Sequence, residues 1–148
     1  MRVVVQRCKN ADIKVNGEQI AKIGIGFLLF VGFTDGDDVS IVKKVAKKVM
    51  TLRIFEDEND KMNLDINDVQ GSVLSVSQFT LYAKLDGRRP SFSKAMNYDE
   101  ANKLYNLFNK ELETYNVPVA TGVFGADMKV SLLNDGPVTI IIDSEHLV

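Results

Sequence analysis

Histidine and cysteine each occur once in these 148 residues, and that scarcity narrows the chemistry before any pattern is read. Cys8 cannot close an internal disulfide, and one cysteine with one histidine falls short of the donors a tetrahedral zinc site needs. Cys8 reads as a small buried strand residue. His146 lies in the C-terminal tail, where fraying and exposure are the expectation, so the commonest general base is missing from the middle of the chain. No apolar run approaches the ~20 residues of a membrane span. The opening MRVVVQRCKN lacks the apolar core and cleavage site of a secretory signal, which makes a cytoplasmic location the expectation. Basic residues are not in excess either: 18 Lys and Arg against 20 Asp and Glu give a net charge of -2. The molecule as a whole therefore does not attract polyanions, and any contact with RNA must be local.

The composition, 45% hydrophobic and 26% charged, suits one globular domain over residues 1–148 with a core of ordinary size. Val3, Val4 and Val5 open a β-branched strand, ADIKV alternates, and Asn16-Gly17 is a hairpin signal. GIGFLLFVGF reads as a buried strand entered through glycines, closed by TDGDD, which also supplies helix caps. From Asp38 to Leu52, Ile41, Val42, Val45, Val49 and Leu52 recur at helical spacing, with Lys43, Lys44, Lys47 and Lys48 opposite them. The expectation for those lysines is a solvated face. EDENDKMNLDINDVQG is a polar connection whose acids do not follow the calcium-loop spacing. Asn97 and Glu100 form a variant capping box for a second helix, whose stripe runs Ala101, Leu104, Tyr105, Phe108, Leu112, Tyr115. After Pro118, MKVSLL and VTIII read as two strands with NDGP between them. The fold class is mixed α/β, rich in antiparallel sheet.

Four stretches carry more polar or conformationally special residues than packing needs: SQFTL at 77–81, DGRRPSFSKAM at 86–96, TGVFGADM at 121–128 and NDGPVT at 134–139. Taken singly, each has an ordinary structural reading. Ser77 and Thr80 can satisfy a strand end, Asp135-Gly136 can turn a hairpin, and Arg88-Arg89 can be a solvated loop.

Together, and in this order, they resemble the D-aminoacyl-tRNA deacylase family. Its two signatures correspond to Ser77-Gln78-Phe79-Thr80 and Asn134-Asp135-Gly136-Pro137-Val138-Thr139. MRVVVQR at the start, RIF near 53, KMNL at 61, RRPSFSKA at 88 and ADM at 126 extend the likeness over essentially the whole chain. The resemblance implies a barrel-like sheet with two main helices, and a homodimeric hydrolase that cuts the ester between a D-amino acid and the terminal adenosine of tRNA. It also implies that glycine is admitted. Ser77, Gln78, Phe79 and Thr80 are then the catalytic segment. Gly136 and Pro137 are a cis-peptide motif that enters the partner's site, Arg7 is its brace, and Phe124 and Met128 belong to an adenosine pocket. Arg88, Arg89 and Lys94 are expected to meet tRNA phosphates. The partners implied are tRNA and a second copy of the chain, with no DNA, membrane, metal or cofactor.

Ester hydrolysis needs an attacking oxygen, donors for the developing oxyanion and a fixed carbonyl. Thr80 offers a hydroxyl, but the signatures hold no base to activate it; their one carboxylate, Asp135, can be fully employed by the turn. The 2′-hydroxyl beside the scissile ester can instead orient water or move a proton. Backbone N–H groups around Phe79 and Thr80 could hold the oxyanion. A noncatalytic RNA-end binding module stays open as the other reading, and turnover at substoichiometric protein separates the two.

Overall fold

The β-branched opening run extends into a 14-residue strand, β1 (Arg2–Val15), whose side chains alternate between buried and half-exposed along its first half. The computed structural model describes residues 1–147. Asn16 and Gly17, both with positive φ, turn the chain into β2 (Glu18–Ile23), as the Asn-Gly pair predicts. β3 (Gly26–Gly32) then pairs antiparallel with the first half of β1, while β2 pairs with its second half.

Asp38 caps α1 (Val39–Thr51) by accepting from the Ile41 amide. Val42, Val45, Ala46, Val49 and Met50 form its buried stripe, and all four lysines are exposed. Lys44 donates to the Leu147 carbonyl at 2.9 Å. The polar connection that follows holds a small two-stranded ribbon, β4 (Phe55–Glu56) with β5 (Met62–Leu64). β6 (Ser72–Ser77) lies parallel to β3, and at its end the chain winds into a 3-10 turn over Phe79–Tyr82. Asn97 caps α2 (Tyr98–Glu113) through the Glu100 amide, and β7 (Val119–Thr121) runs parallel to β6.

The last strand departs from expectation. MKVSLL and VTIII are not two strands joined by a turn; they are one, β8 (Lys129–Asp143), paired antiparallel with β1 along its length. NDGP is absorbed as a break in register, between the Gln6–Thr139 and Asn10–Leu133 pairs. Turn chemistry is local, whereas the pairing is fixed by apolar residues on both sides of the break, which hold β8 on β1.

The main sheet runs β2-β1-β3-β6-β7 with β8 on the other flank of β1. β2 returns alongside β6 and β7, so the sheet curls into a barrel-like form. One face carries both helices over a core that includes Phe27, Leu29, Val73, Phe108 and Leu112; the inner face is filled by Cys8, Ile13, Leu28, Leu74 and Val76. Nor is the tail loose where His146 stands. Ser144–His146 forms a 3-10 turn, and the terminal amine bonds Asp37 at 2.6 Å and Ser144 Oγ at 2.8 Å. Among the described residues, no helix is long and apolar enough to cross a membrane.

Candidate active site

Strands β3 and β6 are parallel, so their C-terminal ends finish side by side, and a cavity of about 580 Å³ opens there. Val31, Gly32 and Phe33 leave β3 into its wall, and Val76, Ser77, Gln78 and Phe79 leave β6. Phe92, Ala95 and Met96 come from the loop before α2, Tyr98 and Ala101 from α2 itself, and Phe124 to Met128 from the loop before β8. Its lining is mostly apolar, with few polar groups, which is the usual make-up of a small-molecule site.

The backbone at Gln78 is fixed by a 2.7 Å bond from its amide to the Val31 carbonyl. The next two amides, of Phe79 and Thr80, begin the 3-10 turn and find no acceptor among the described residues, as first-turn amides generally do not. Gly32 makes this approach possible. A Cβ there would stand 2.9 Å from the Gln78 carbonyl oxygen and 3.1 Å from Leu81 Cβ. Gln78 Nε2 donates to Thr80 Oγ1 at 2.6 Å. Thr80 is exposed and does not line the cavity, and among the described residues its hydroxyl is bonded to the Gln78 side-chain amide and to no basic group. Phe79, 57% exposed, is held edge-on by Phe92 at 5.1 Å.

Behind the opposite wall, the Tyr105 hydroxyl donates to the Ser75 carbonyl at 2.8 Å, and burial pushes its pKa up. The Tyr105 ring packs on Phe124 at 5.6 Å. That contact ties α2 to β6 and to the Phe124 wall together.

Gly136 and Pro137 are exposed and are absent from the cavity of their own chain. Their peptide bond is cis. Arg7 reaches them from β1, where it pairs with Phe27, at the other end of β3 from the cavity. Its side chain is only 3% exposed. Nε donates to the Asp135 carbonyl at 3.0 Å, and Nη1 donates to the Ile54 carbonyl at 2.7 Å and to Glu56 Oε2 at 2.9 Å. Asp135 is thus engaged by Arg7 through its carbonyl, with its carboxylate 3.9 Å from Nε, and not consumed by a hairpin turn.

The structure therefore gathers Ser77, Gln78, Phe79, Phe124 and Met128 around one cavity, sets Thr80 beside it, and groups Arg7 with Gly136 elsewhere. Arg88, Arg89 and Lys94 lie exposed on the loop that supplies Phe92 but do not line the cavity. Among the described residues, no three His, Cys, Asp or Glu side chains group as metal ligands.

A family model described as D-Tyr-tRNA(Tyr) deacylase matches residues 4–143. The chain belongs to this family. It is 54% identical over 144 residues to a D-aminoacyl-tRNA deacylase of Lactobacillus acidophilus, covering 97% of this chain and 99% of that one. A Listeria innocua protein of the same name is 51% identical over 148 residues, covering 99% of each. Among solved structures, one named c-Myc DNA Unwinding Element Binding Protein superposes with a TM-score of 0.92 at 40% identity, over 97% of this chain and 98% of that one. A probable eukaryotic D-amino acid tRNA deacylase shares the fold, with a TM-score of 0.83 at 18% identity over 95% and 97% of the two chains.

For a deacylase-family chain, the sequence signatures lead to the cavity but leave out much of its wall. Gly32, Phe92 and Tyr98 come from segments far apart in sequence. Phe92 lies within the DGRRPSFSKAM stretch already singled out, though not as a wall residue, and Gly32 carried a local signal as a glycine ending an apolar strand where side chains should continue.

Proposed function

We propose that this chain is a D-aminoacyl-tRNA deacylase that hydrolyses the ester between a D-amino acid, or glycine, and the 3′-terminal adenosine of tRNA. The observation that carries this reading is the end of β6: two unpaired amides, at Phe79 and Thr80, beside an apolar cavity large enough for a nucleoside, in a chain of this family. The amides supply donors where negative charge develops on the ester oxygen, each such donor lowering a hydrolytic barrier by roughly 3 kcal/mol. Phe124 and Met128 form the wall for the adenosine. Thr80, held by Gln78, positions rather than attacks, and the substrate's own 2′-hydroxyl handles the proton or the water.

Chirality is set in trans. Gly136 and Pro137 project from one subunit of a homodimer into the cavity of the other and present backbone carbonyls against the α-carbon of the ester. An L side chain would run into that wall, a D side chain points to solvent, and glycine has none to exclude. Arg7 keeps the projection rigid. Arg88, Arg89 and Lys94 hold tRNA phosphates, so the basic contact is local in an acidic molecule, one expected in the cytoplasm where charged tRNA is used.

Paired D- and L-aminoacyl-tRNAs carrying the same amino acid provide the test. Multiple turnovers at substoichiometric protein on the D form, with the L form spared, are expected. Binding without turnover would replace the hydrolase with an RNA-end binding module.

A further inference from the structure

We propose that Tyr98 is a second stacking platform at the cavity mouth, one that takes the base of the nucleotide preceding the terminal adenosine. This rests on the deacylase reading above and extends it by one nucleotide.

Tyr98 is the first residue of α2 and 59% exposed, yet its ring is pinned. Its hydroxyl donates to the Phe124 carbonyl at 3.3 Å, and its ring meets that of Phe124 edge to face, with centroids 4.9 Å apart. It also lies so close over Gly125 that a Cβ there would stand 2.7 Å from Tyr98 Cε2. Gly125 has φ +78, a left-handed conformation that suits glycine. The loop is thus shaped to receive this ring. An ordered aromatic that stays open to water loses little further freedom when a flat partner stacks on it. Nucleobases are such partners, and stacking tolerates any base because each has a π-face.

Position decides which base. Exposure rises along a row of three rings, from buried Tyr105 at 2%, through half-buried Phe124, to Tyr98. With the ester at the end of β6 and the adenosine against Phe124, the RNA leaves the cavity past Tyr98. On the same rim Asp127 is bonded to Lys129 at 3.0 Å, which offsets its charge against the connecting phosphate. A bland alternative is that Tyr98 merely shields Phe124.

Two substrates separate these roles: a D-aminoacyl ester of adenosine, and the same ester on the dinucleotide cytidylyl-adenosine. In the unaltered protein the second nucleotide is expected to raise kcat/KM about 5- to 150-fold, the worth of stacking one base. Tyr98→Ala, which also removes a contact to Phe124, should cost the dinucleotide ester far more than the adenosine ester and bring the ratio of their kcat/KM values close to one. Tyr98→Phe, which keeps the ring, should keep most of the ratio. A gain that survives Tyr98→Ala, no gain in the unaltered protein, or an equal loss on both substrates would each overturn the proposal. Hydrolysis of neither ester by the unaltered protein, nor of D-aminoacyl-tRNA, would instead sink the deacylase reading and the subsite with it.

Discussion

The two signature segments sit in opposite kinds of surroundings. Ser77 to Thr80 end a parallel strand pair and border a concave, largely apolar cavity completed by residues of the same chain. Gly136 and Pro137 lie exposed in β8, which among the described residues pairs only with β1, and they are braced from beneath by a buried arginine. One segment is a receptor and the other a projection. A projection held this rigidly, away from the cavity of its own chain, has a use when a second chain offers a cavity to it. On the in-trans reading proposed above, the difference teaches that the chain carries both halves of a contact it cannot make with itself.

The strongest way to break this comparison is at the receptor. Gly32→Ala would push a methyl group to within 2.9 Å of the Gln78 carbonyl oxygen and so displace the segment that carries the unpaired amides. Misplacement of about 1 Å at a reacting centre can cost ~100-fold in rate. A loss of kcat of that order on D-aminoacyl-tRNA is expected. An unchanged single-turnover rate would show that the Phe79 and Thr80 amides do not take part.

At the projection, Gly136→Ala places a Cβ 2.9 Å from both Arg7 Nη2 and Val138 Cγ2, at φ +124 where an alanine is strained. The expected result is weaker hydrolysis and poorer rejection of the L form, with the cavity of the same chain intact. Pairing this variant with a chain disabled at Gln78 and Phe79 should leave one working site per mixed dimer. Recovery of no activity in the mixed dimer would place both defects within one chain and end the in-trans reading.

Arg7→Met tests the brace rather than the wall. It strands the buried Ile54 carbonyl, a group costing about 1–3 kcal/mol when left without a partner, and frees the part-buried Asp135 carbonyl. A urea midpoint shifted by less than the equivalent of ~1 kcal/mol would mean that Arg7 does not hold the projection in place.

How much of this was legible in the sequence follows the same division. Both helices were readable, since apolar period and caps are local: Asp38 and Asn97 cap as their side chains imply. The end of β6 was marked by three polar residues around Phe79. The projection was half legible. Asp135-Gly136-Pro137 announced an unusual backbone, but turn residues suggested a reversal, while β8 instead continues past them on β1. Register is a tertiary property, set by Val130 and Ile142 against Ile13 and Val3, and short-range rules do not see it. Tyr98 escaped for a similar reason, since it looks like an ordinary helix residue until folding brings it to the cavity, and Phe92 stood in a marked stretch whose arginines and lysine drew the reading toward phosphates.

The smallest expected effect uses Cys8 as a reporter at the base of the projection. Cys8 pairs with Asn134 at the register break, is 1% exposed, and donates to the Gly24 carbonyl at 3.9 Å. Burial, with Asp135 adding to it, pushes the thiol from its ordinary 9.0 up to about 11. The thiolate is the reactive form, so alkylation at pH 8 should be far slower in the folded protein than in urea. The folded value is the higher one, so the unfolded chain releases its proton first as pH rises. Any stability tied to the neutral thiol is therefore complete below pH 9 and lost as pH climbs toward 11. Gly136→Ala should speed labelling by loosening the segment over Cys8, whereas Gly32→Ala, acting at the receptor, should leave it slow. Equal acceleration by both would mean that the two regions loosen as one unit, and the separation between receptor and projection would not hold.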